Sequence, residues 1–152
     1  PAAVYAKTAN RDWEGEAAEG CTDIASQLLE AMQAGTIDFA MGGGRRFFLP
    51  SDVTDEEGKG GKRKDGKNLV QAAKDAGMQY AWNTETVTGL TLNGKTPVLA
   101  LLEDSHMKYE ADRADEDEPS LTDMTKAAIE FLSKNEGGYY LEIESGLTLI
   151  HI

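Results

Sequence analysis

The stretch Thr-Ile-Asp-Phe-Ala-Met-Gly-Gly-Gly-Arg-Arg-Phe-Phe, residues 36–48, decides how the rest of the chain is organised. Ile37, Phe39 and Met41 alternate with polar or small residues, which is the two-residue period of a β-strand. Three consecutive glycines, residues 42–44, then end this pattern abruptly. The stretch therefore predicts a strand that leads directly into a tight turn.

The glycine turn has two interpretations. Glycines let backbone N–H groups approach an anion, and Arg45 and Arg46 could clamp a phosphate there. A phosphate loop, however, needs a helix that begins directly behind it, whereas the Phe-Phe-Leu-Pro sequence of residues 47–50 predicts an extended segment closed by proline. We therefore favour a structural turn over a nucleotide site.

The composition limits the possible partners. A chain of 152 residues with 40% hydrophobic residues suits one globular domain with a substantial core. Fifteen basic and 27 acidic residues give a net charge of −12, which argues against nucleic acid or an anionic membrane as a partner and favours cations. No apolar run approaches the roughly eighteen residues of a membrane span.

The ends and the single cysteine suggest a segment of a longer protein. The chain begins at Pro1 with neither an initiator methionine nor a signal region, so we expect it to be cut from something longer. Cys21 cannot form a disulfide within the chain. It is therefore either a buried thiol or half of a disulfide whose partner lies elsewhere, and the sequence alone favours the buried thiol.

Helices and strands alternate in the hydrophobic pattern. Thr22 is the predicted N-cap of the first helix, with Asp23 in its first turn, and Ser120 with Asp123 resembles a capping box for the last helix. Residues 51–67 are expected to form a solvated loop. Helical stripes cover residues 24–32, 69–73 and 121–132, and strands are predicted at 37–41, 79–82, 97–102 and 139–143.

This alternation predicts an α/β fold with a mainly parallel sheet and helices on both faces. Ligands of such sheets bind beyond the carboxyl ends of the strands, where we expect the Gly42 turn, Glu103 and Glu144. Eight acidic residues lie between positions 103 and 118. They must either remain in water or gather a cation, and composition alone favours the solvated loop.

Six motifs in this chain resemble the alkaline phosphatase family, in the same order and at compatible spacings. The resemblance spans roughly residues 1–146 and is far more specific than any one motif. It implies a single partial domain over residues 1–152, similar to part of the family's αβα core, with residues 147–152 departing from the pattern. The motifs occupy residues 1–13, 20–25, 41–45, 65–70, 107–110 and 119–125.

The resemblance also implies a function. The family hydrolyses phosphate monoesters through a phosphoserine intermediate, with two zinc ions and one magnesium ion. Arg11 matches the phosphate-binding arginine and Glu144 matches the glutamate that binds magnesium; without the resemblance, both would be ordinary surface residues. The implied partner is phosphate or a phosphate monoester, and the implied location is periplasmic or extracellular.

A calcium site is implied by the vertebrate-like branch of the family. Its ligands are hard oxygen donors, as calcium prefers. The loop that holds Glu57 is shorter here than in the family. Asp52, Asp55 or Glu56 could therefore take its place as a ligand, and a solvated acidic loop remains the alternative to a calcium site. The matching residues are Glu57, Leu102 through its backbone carbonyl, Glu103 and Glu118, the last standing where aspartate is usual.

Other catalytic parts of the family have no counterpart. The nucleophilic serine and the metal-binding aspartates would precede Pro1, Leu149 stands where the family has a zinc-binding aspartate, and His151 falls at neither zinc-ligand position. Cys21 matches a cysteine that some relatives pair with an upstream partner. We therefore expect the isolated chain to have little or no phosphatase activity.

Two hypotheses remain. The chain is either a segment of a phosphomonoester hydrolase or a non-catalytic, acidic calcium-binding domain on the same scaffold. In both cases we expect an excised sheet to expose apolar surface at residues 98–102 and 147–152. Such surface favours self-association as a homo-oligomer.

Overall fold

A computed structural model describes residues 22–113 and 117–145 of the chain. The predictions for Arg11, Cys21, Leu149 and His151 lie outside these residues. The elements, in chain order, are α1 (Ile24–Gln33), β1 (Phe39–Gly42), a 3₁₀ turn (Arg45–Phe47), α2 (Leu69–Asp75), β2 (Gln79–Ala81), α3 (Thr84–Thr88), β3 (Val98–Leu101) and α4 (Leu121–Leu132).

The three strands form one parallel sheet in the order β1-β3-β2. Phe39 of β1 and Gln79 of β2 lie opposite Val98 on the two sides of β3. All four residues of β3 are buried, because this central strand is covered on both faces. The continuous apolar run in the sequence has this cause, and the prediction of an α/β fold is confirmed.

The two faces of β3 belong to two separate hydrophobic clusters. Leu99 and Leu101 pack with α1 and α2, while Val98 and Ala100 pack with Phe131 of α4. The Phe131 ring also lies 5.5 Å, between centroids, from the ring of Phe39 in β1. Helices therefore cover both sides of the sheet, as predicted.

The helix caps differ in one place from the prediction. Asp23, not Thr22, caps α1: its backbone is extended and its carboxylate accepts the N–H of Ser26 at 2.9 Å. Ser120 does cap α4, since its hydroxyl accepts the N–H of Asp123 at 3.1 Å. The one-residue error at α1 arises because Thr22 and Asp23 are both good capping residues.

The loop of residues 51–67 is not simply solvated, because two fully buried arginines fasten it. Arg63, within the loop, binds both carboxylate oxygens of Asp23 at 2.8 and 3.0 Å and also pairs with Asp65. Arg45, which lies before the loop, binds Asp55 at 2.8 Å. The loop is therefore tied at one point to the start of α1 and at another to the sheet.

Three further predictions are wrong. The segment 47–50, predicted to be extended, instead begins inside a 3₁₀ turn (Arg45–Phe47) and continues as a turn at Phe48. Residues 98–102 are at most 3% exposed because they form the centre of the core, so they offer no surface for self-association. The segment 139–143 is not a strand: it joins no sheet in the described part of the chain, and Tyr140 is 83% exposed.

Among residues 22–113 and 117–145, no helix is both long and apolar enough to cross a membrane.

Candidate cation site

The glycine turn binds protein backbone, which leaves little room for a phosphate. The N–H groups of Gly44, Arg45 and Arg46 donate to the carbonyl oxygens of residues 103–105, at 2.5–3.2 Å. A Cβ atom on Gly43 would lie 2.3 Å from one of these oxygens, so only glycine permits the approach. The structure agrees with the structural interpretation of the turn, which positions the segment that follows β3.

A cavity of about 190 Å³ lies beyond the carboxyl ends of β2 and β3. All four residues that the sequence suggested for calcium line it, although they come from three separate segments of the chain. Parallel strands bring their carboxyl ends to one edge, which explains the convergence. The lining residues are Glu57, Trp82, Asn83, Leu102, Glu103, Lys108, Asp117 and Glu118.

Glu118 is the most deeply buried acidic residue of this cavity, with 1% of its surface exposed. One carboxylate oxygen, Oε1, accepts the backbone N–H of Lys108 at 3.0 Å. The other, Oε2, is buried and has no hydrogen-bond partner among the described residues. Burial raises the pKa of Glu118, because the charged form loses its water. An unsatisfied carboxylate oxygen of this kind calls for a cation or a proton.

Two lysines partly neutralise the carboxylates. Glu103 lies between them, with one oxygen 3.7 Å from Nζ of Lys108 and the other 3.8 Å from Nζ of Lys59. Lys59 also lies 3.7 Å from Glu57, and Lys108 lies 3.9 Å from Asp117. Four carboxylates therefore face two ammonium groups around the cavity, so acidic side chains outnumber the lysines.

Among the described residues, the carboxylates of the cavity do not form a ready-made metal cluster. Within the described residues, no group of three or more histidine, cysteine, aspartate or glutamate side chains is close enough to hold a metal ion. The donor set nevertheless suits a hard cation, since it consists of carboxylate oxygens.

The structure also separates Glu57 from its possible substitutes. Asp55 is bound to Arg45, and Glu56 lies 3.4 Å from the hydroxyl of Tyr80, so neither lines the cavity. Asp52 does not line it either. Glu57 is therefore the residue of this loop that faces the cavity, although the sequence left all four open.

Arg45 is a buried residue beside the cavity whose contacts sequence analysis missed. The sequence allows it to clamp a phosphate, but its guanidinium group is fully buried and binds Asp55 and Glu57. Burial alone would lower the pKa of Arg45, yet the hydrogen bond and charge of Asp55, with the charges of Tyr80 and Glu57, raise it. The only sequence signal was that an arginine directly follows the glycine turn.

Glu144, the predicted magnesium ligand, is exposed and is not part of the cavity lining. The structure does not place Glu144 in the cavity that the four suggested calcium ligands line. Its role therefore stays a prediction.

The parallel sheet, with an acidic cavity beyond its carboxyl edge, defines an α/β protein. The model of the alkaline phosphatase family matches residues 1–148, and the chain belongs to that family. It is 36% identical to a membrane-bound alkaline phosphatase of Bombyx mori over 160 residues, which cover 96% of this chain and 29% of the relative.

Two further comparisons agree. The chain is 40% identical to the tissue-nonspecific alkaline phosphatase of Gallus gallus over 163 residues, which cover 96% of this chain and 31% of that protein. The crystal structure of Thermus thermophilus alkaline phosphatase matches 78% of this chain and 23% of its own, with a TM-score of 0.58 and 28% identity. The chain therefore spans about a third of the length of the curated relatives it matches.

Proposed function

We propose that this chain is part of a metal-dependent phosphate monoester hydrolase and that its acidic cavity is a calcium site of that enzyme. One observation carries the proposal: the four residues suggested by the family resemblance line one cavity, and one of them carries a buried carboxylate oxygen without a partner among the described residues. The four are Glu57, Leu102, Glu103 and Glu118.

Calcium suits the cavity better than a softer metal does. The side chains there offer carboxylate oxygens, whereas zinc sites usually include histidine or cysteine, and neither residue type lines the cavity in the described part of the chain. When bound, calcium would supply positive charge that joins three segments: the 51–67 loop, the end of β3 and residues 117–118. Its role would therefore be structural.

The catalytic assignment rests on the family resemblance. We propose that Arg11 binds the phosphate group and that Glu144 binds magnesium, with the serine nucleophile and the zinc ligands supplied by sequence outside this chain. We also propose a homo-oligomer in a periplasmic or extracellular location. Arginine suits this role because its planar fork binds two phosphate oxygens at once.

Activity of the chain itself is tested with p-nitrophenyl phosphate in the presence of zinc and magnesium. We expect negligible turnover, because one phosphate contact and one magnesium ligand cannot stabilise both the attacking and leaving oxygens. Activity that survives both Arg11→Ala and a chelator belongs to a contaminant. Activity that both treatments abolish would contradict the expectation and locate a complete site in this chain.

The calcium site is tested by thermal unfolding with calcium and by terbium luminescence. Calcium at about one hundred times its dissociation constant should stabilise the folded chain by about 2.7 kcal/mol. Trp82 lines the cavity, so its indole should sensitise terbium bound there. Glu118→Gln should abolish both effects without lowering the melting temperature in EDTA, because it removes a desolvated charge.

Glu136→Gln is the matched control, since Glu136 is exposed and does not line the cavity. It should leave both effects unchanged. A melting temperature that millimolar calcium does not change in the unsubstituted protein would refute the site. So would an equal calcium response in Glu118→Gln.

A further inference from the structure

Arg45 connects the 51–67 loop to the ends of two strands through one buried guanidinium group. Its Nη1 donates to the carbonyl oxygen of Leu101 at 2.9 Å and to that of Trp82 at 3.3 Å. Its Nε donates to Asp55 at 2.8 Å, and its Nη2 donates to Glu57. All three nitrogens are therefore used, and they point to β3, β2 and the loop.

Asp55 shapes the turn that carries Glu57. One of its carboxylate oxygens binds Arg45, and the other accepts the backbone N–H groups of Glu57 at 2.9 Å and Lys59 at 2.7 Å. The side chain of Asp55 is 1% exposed, whereas that of Glu57 is 34% exposed. The turn is thus fixed at its base by a buried contact, and Glu57 extends from it toward solvent and the cavity.

We propose that Arg45 is the positioning residue of the cation site: it holds the turn of residues 55–59 against the strand ends so that Glu57 faces the cavity. This inference rests on the proposed calcium site. Arg45 does not line the cavity itself and acts through Asp55 and Glu57. Without it, the link from Glu57 to Glu103 runs through Lys59, whose side chain is 48% exposed.

Lysine cannot replace this arginine. A planar guanidinium group presents donors in three fixed directions, as the contacts to two strand ends and two carboxylates require. An ammonium group on a flexible stem can keep the charge but cannot make these contacts together. The guanidinium carbon also lies 5.8 Å from the centre of the Trp82 ring, a contact that favours arginine.

Arg63→Lys provides the matched control for Arg45→Lys. Arg63 is equally buried and also pairs with two aspartates, Asp23 and Asp65, but none of these residues lines the cavity. Both substitutions should therefore lower the melting temperature. Only Arg45→Lys should also weaken calcium binding at a temperature where each variant is folded by circular dichroism.

Calcium affinity, measured by calorimetry, should fall about tenfold or more in Arg45→Lys and change less than about twofold in Arg63→Lys. Because Arg45 acts through Glu57, Glu57→Gln should cost little further affinity in the Arg45→Lys background. Asp55→Asn, which keeps a turn-forming side chain but loses the charge held by Arg45, should weaken calcium binding as well. It serves as the test if Arg45→Lys does not fold.

Unchanged affinity in Arg45→Lys, or in Asp55→Asn where that variant is used, would overturn the positioning role. Fully additive losses in the double variant would do the same. If the unsubstituted protein binds no calcium, the proposed site itself fails and this inference falls with it. If it binds calcium and Arg45→Lys binds equally well, only the inference fails.

Discussion

Replacing Asp23 by asparagine separates two contributions of one side chain. Asp23 caps α1 through the N–H of Ser26 and forms a bidentate ion pair with the fully buried Arg63, 40 residues further along the chain. Asparagine also caps helices well, so the cap should survive. The negative charge opposite the guanidinium group is what the substitution removes.

The expected loss of stability at pH 7 is about 2 to 3 kcal/mol. Removing one partner of a buried ion pair typically costs about 3 to 5 kcal/mol, because the other charge remains desolvated. Here Asp65 also binds the guanidinium group of Arg63, at 2.6 and 3.0 Å, and would compensate part of the charge. With a urea m-value of about 2 kcal/mol/M, the midpoint should fall by about 1 M.

The loss should depend on pH in a defined direction. Burial is the largest influence on the pKa of Asp23 and would raise it, but the hydrogen bonds from Arg63 and Ser26 outweigh burial and hold the pKa below its usual 3.8. A depressed pKa stabilises the folded state above pH 3.8, and this contribution disappears as the pH falls through the folded pKa. The urea midpoints of the unsubstituted chain and Asp23→Asn should therefore converge as the pH falls below 3.8 and through the folded-state pKa of Asp23.

Urea unfolding followed by circular dichroism at several pH values between about 7 and about 2.5 measures this difference. Other aspartates titrate in both proteins, so the difference between them isolates Asp23. Asp65→Asn is the control: its side chain is 37% exposed, and we expect a loss of about 1 kcal/mol or less. A difference that stays constant over this pH range, or that is no larger than the control, would refute the reasoning.

Three other predictions concern the cavity and the core. Gly43→Ala should destabilise the chain and weaken calcium binding, because its Cβ would lie 2.3 Å from a carbonyl oxygen. In Gly42→Ala the new Cβ meets no atom within 4 Å, so this control should change neither property. Chemical denaturation measures the stability of the two variants, and calorimetry measures their calcium affinity. Lys108→Met should raise calcium affinity about two- to fivefold by removing a competing charge, and the exposed Lys126→Met should not. Phe131→Ala, at a site 1% exposed, should cost about 3 to 5 kcal/mol in urea unfolding.

The sequence by itself determined the features that depend on neighbouring residues. The apolar run of β3, the glycine turn and the Ser120 cap are local patterns, and each forms its predicted element. The ordered motifs also identified the family, because motif order survives in the sequence even where contacts are unknown. The residues suggested as calcium ligands were also chosen through the resemblance and not through any local pattern.

Tertiary structure decided which charges are buried and which residues they meet. Arg45 reaches Leu101, 56 residues away, and Arg63 reaches Asp23, 40 residues away, so no local pattern could show that both arginines are fully buried. The buried oxygen of Glu118 that has no partner among the described residues is likewise invisible in an acidic run. Charged residues look alike in a sequence, because whether each lies in water or beside a partner depends on how distant segments pack.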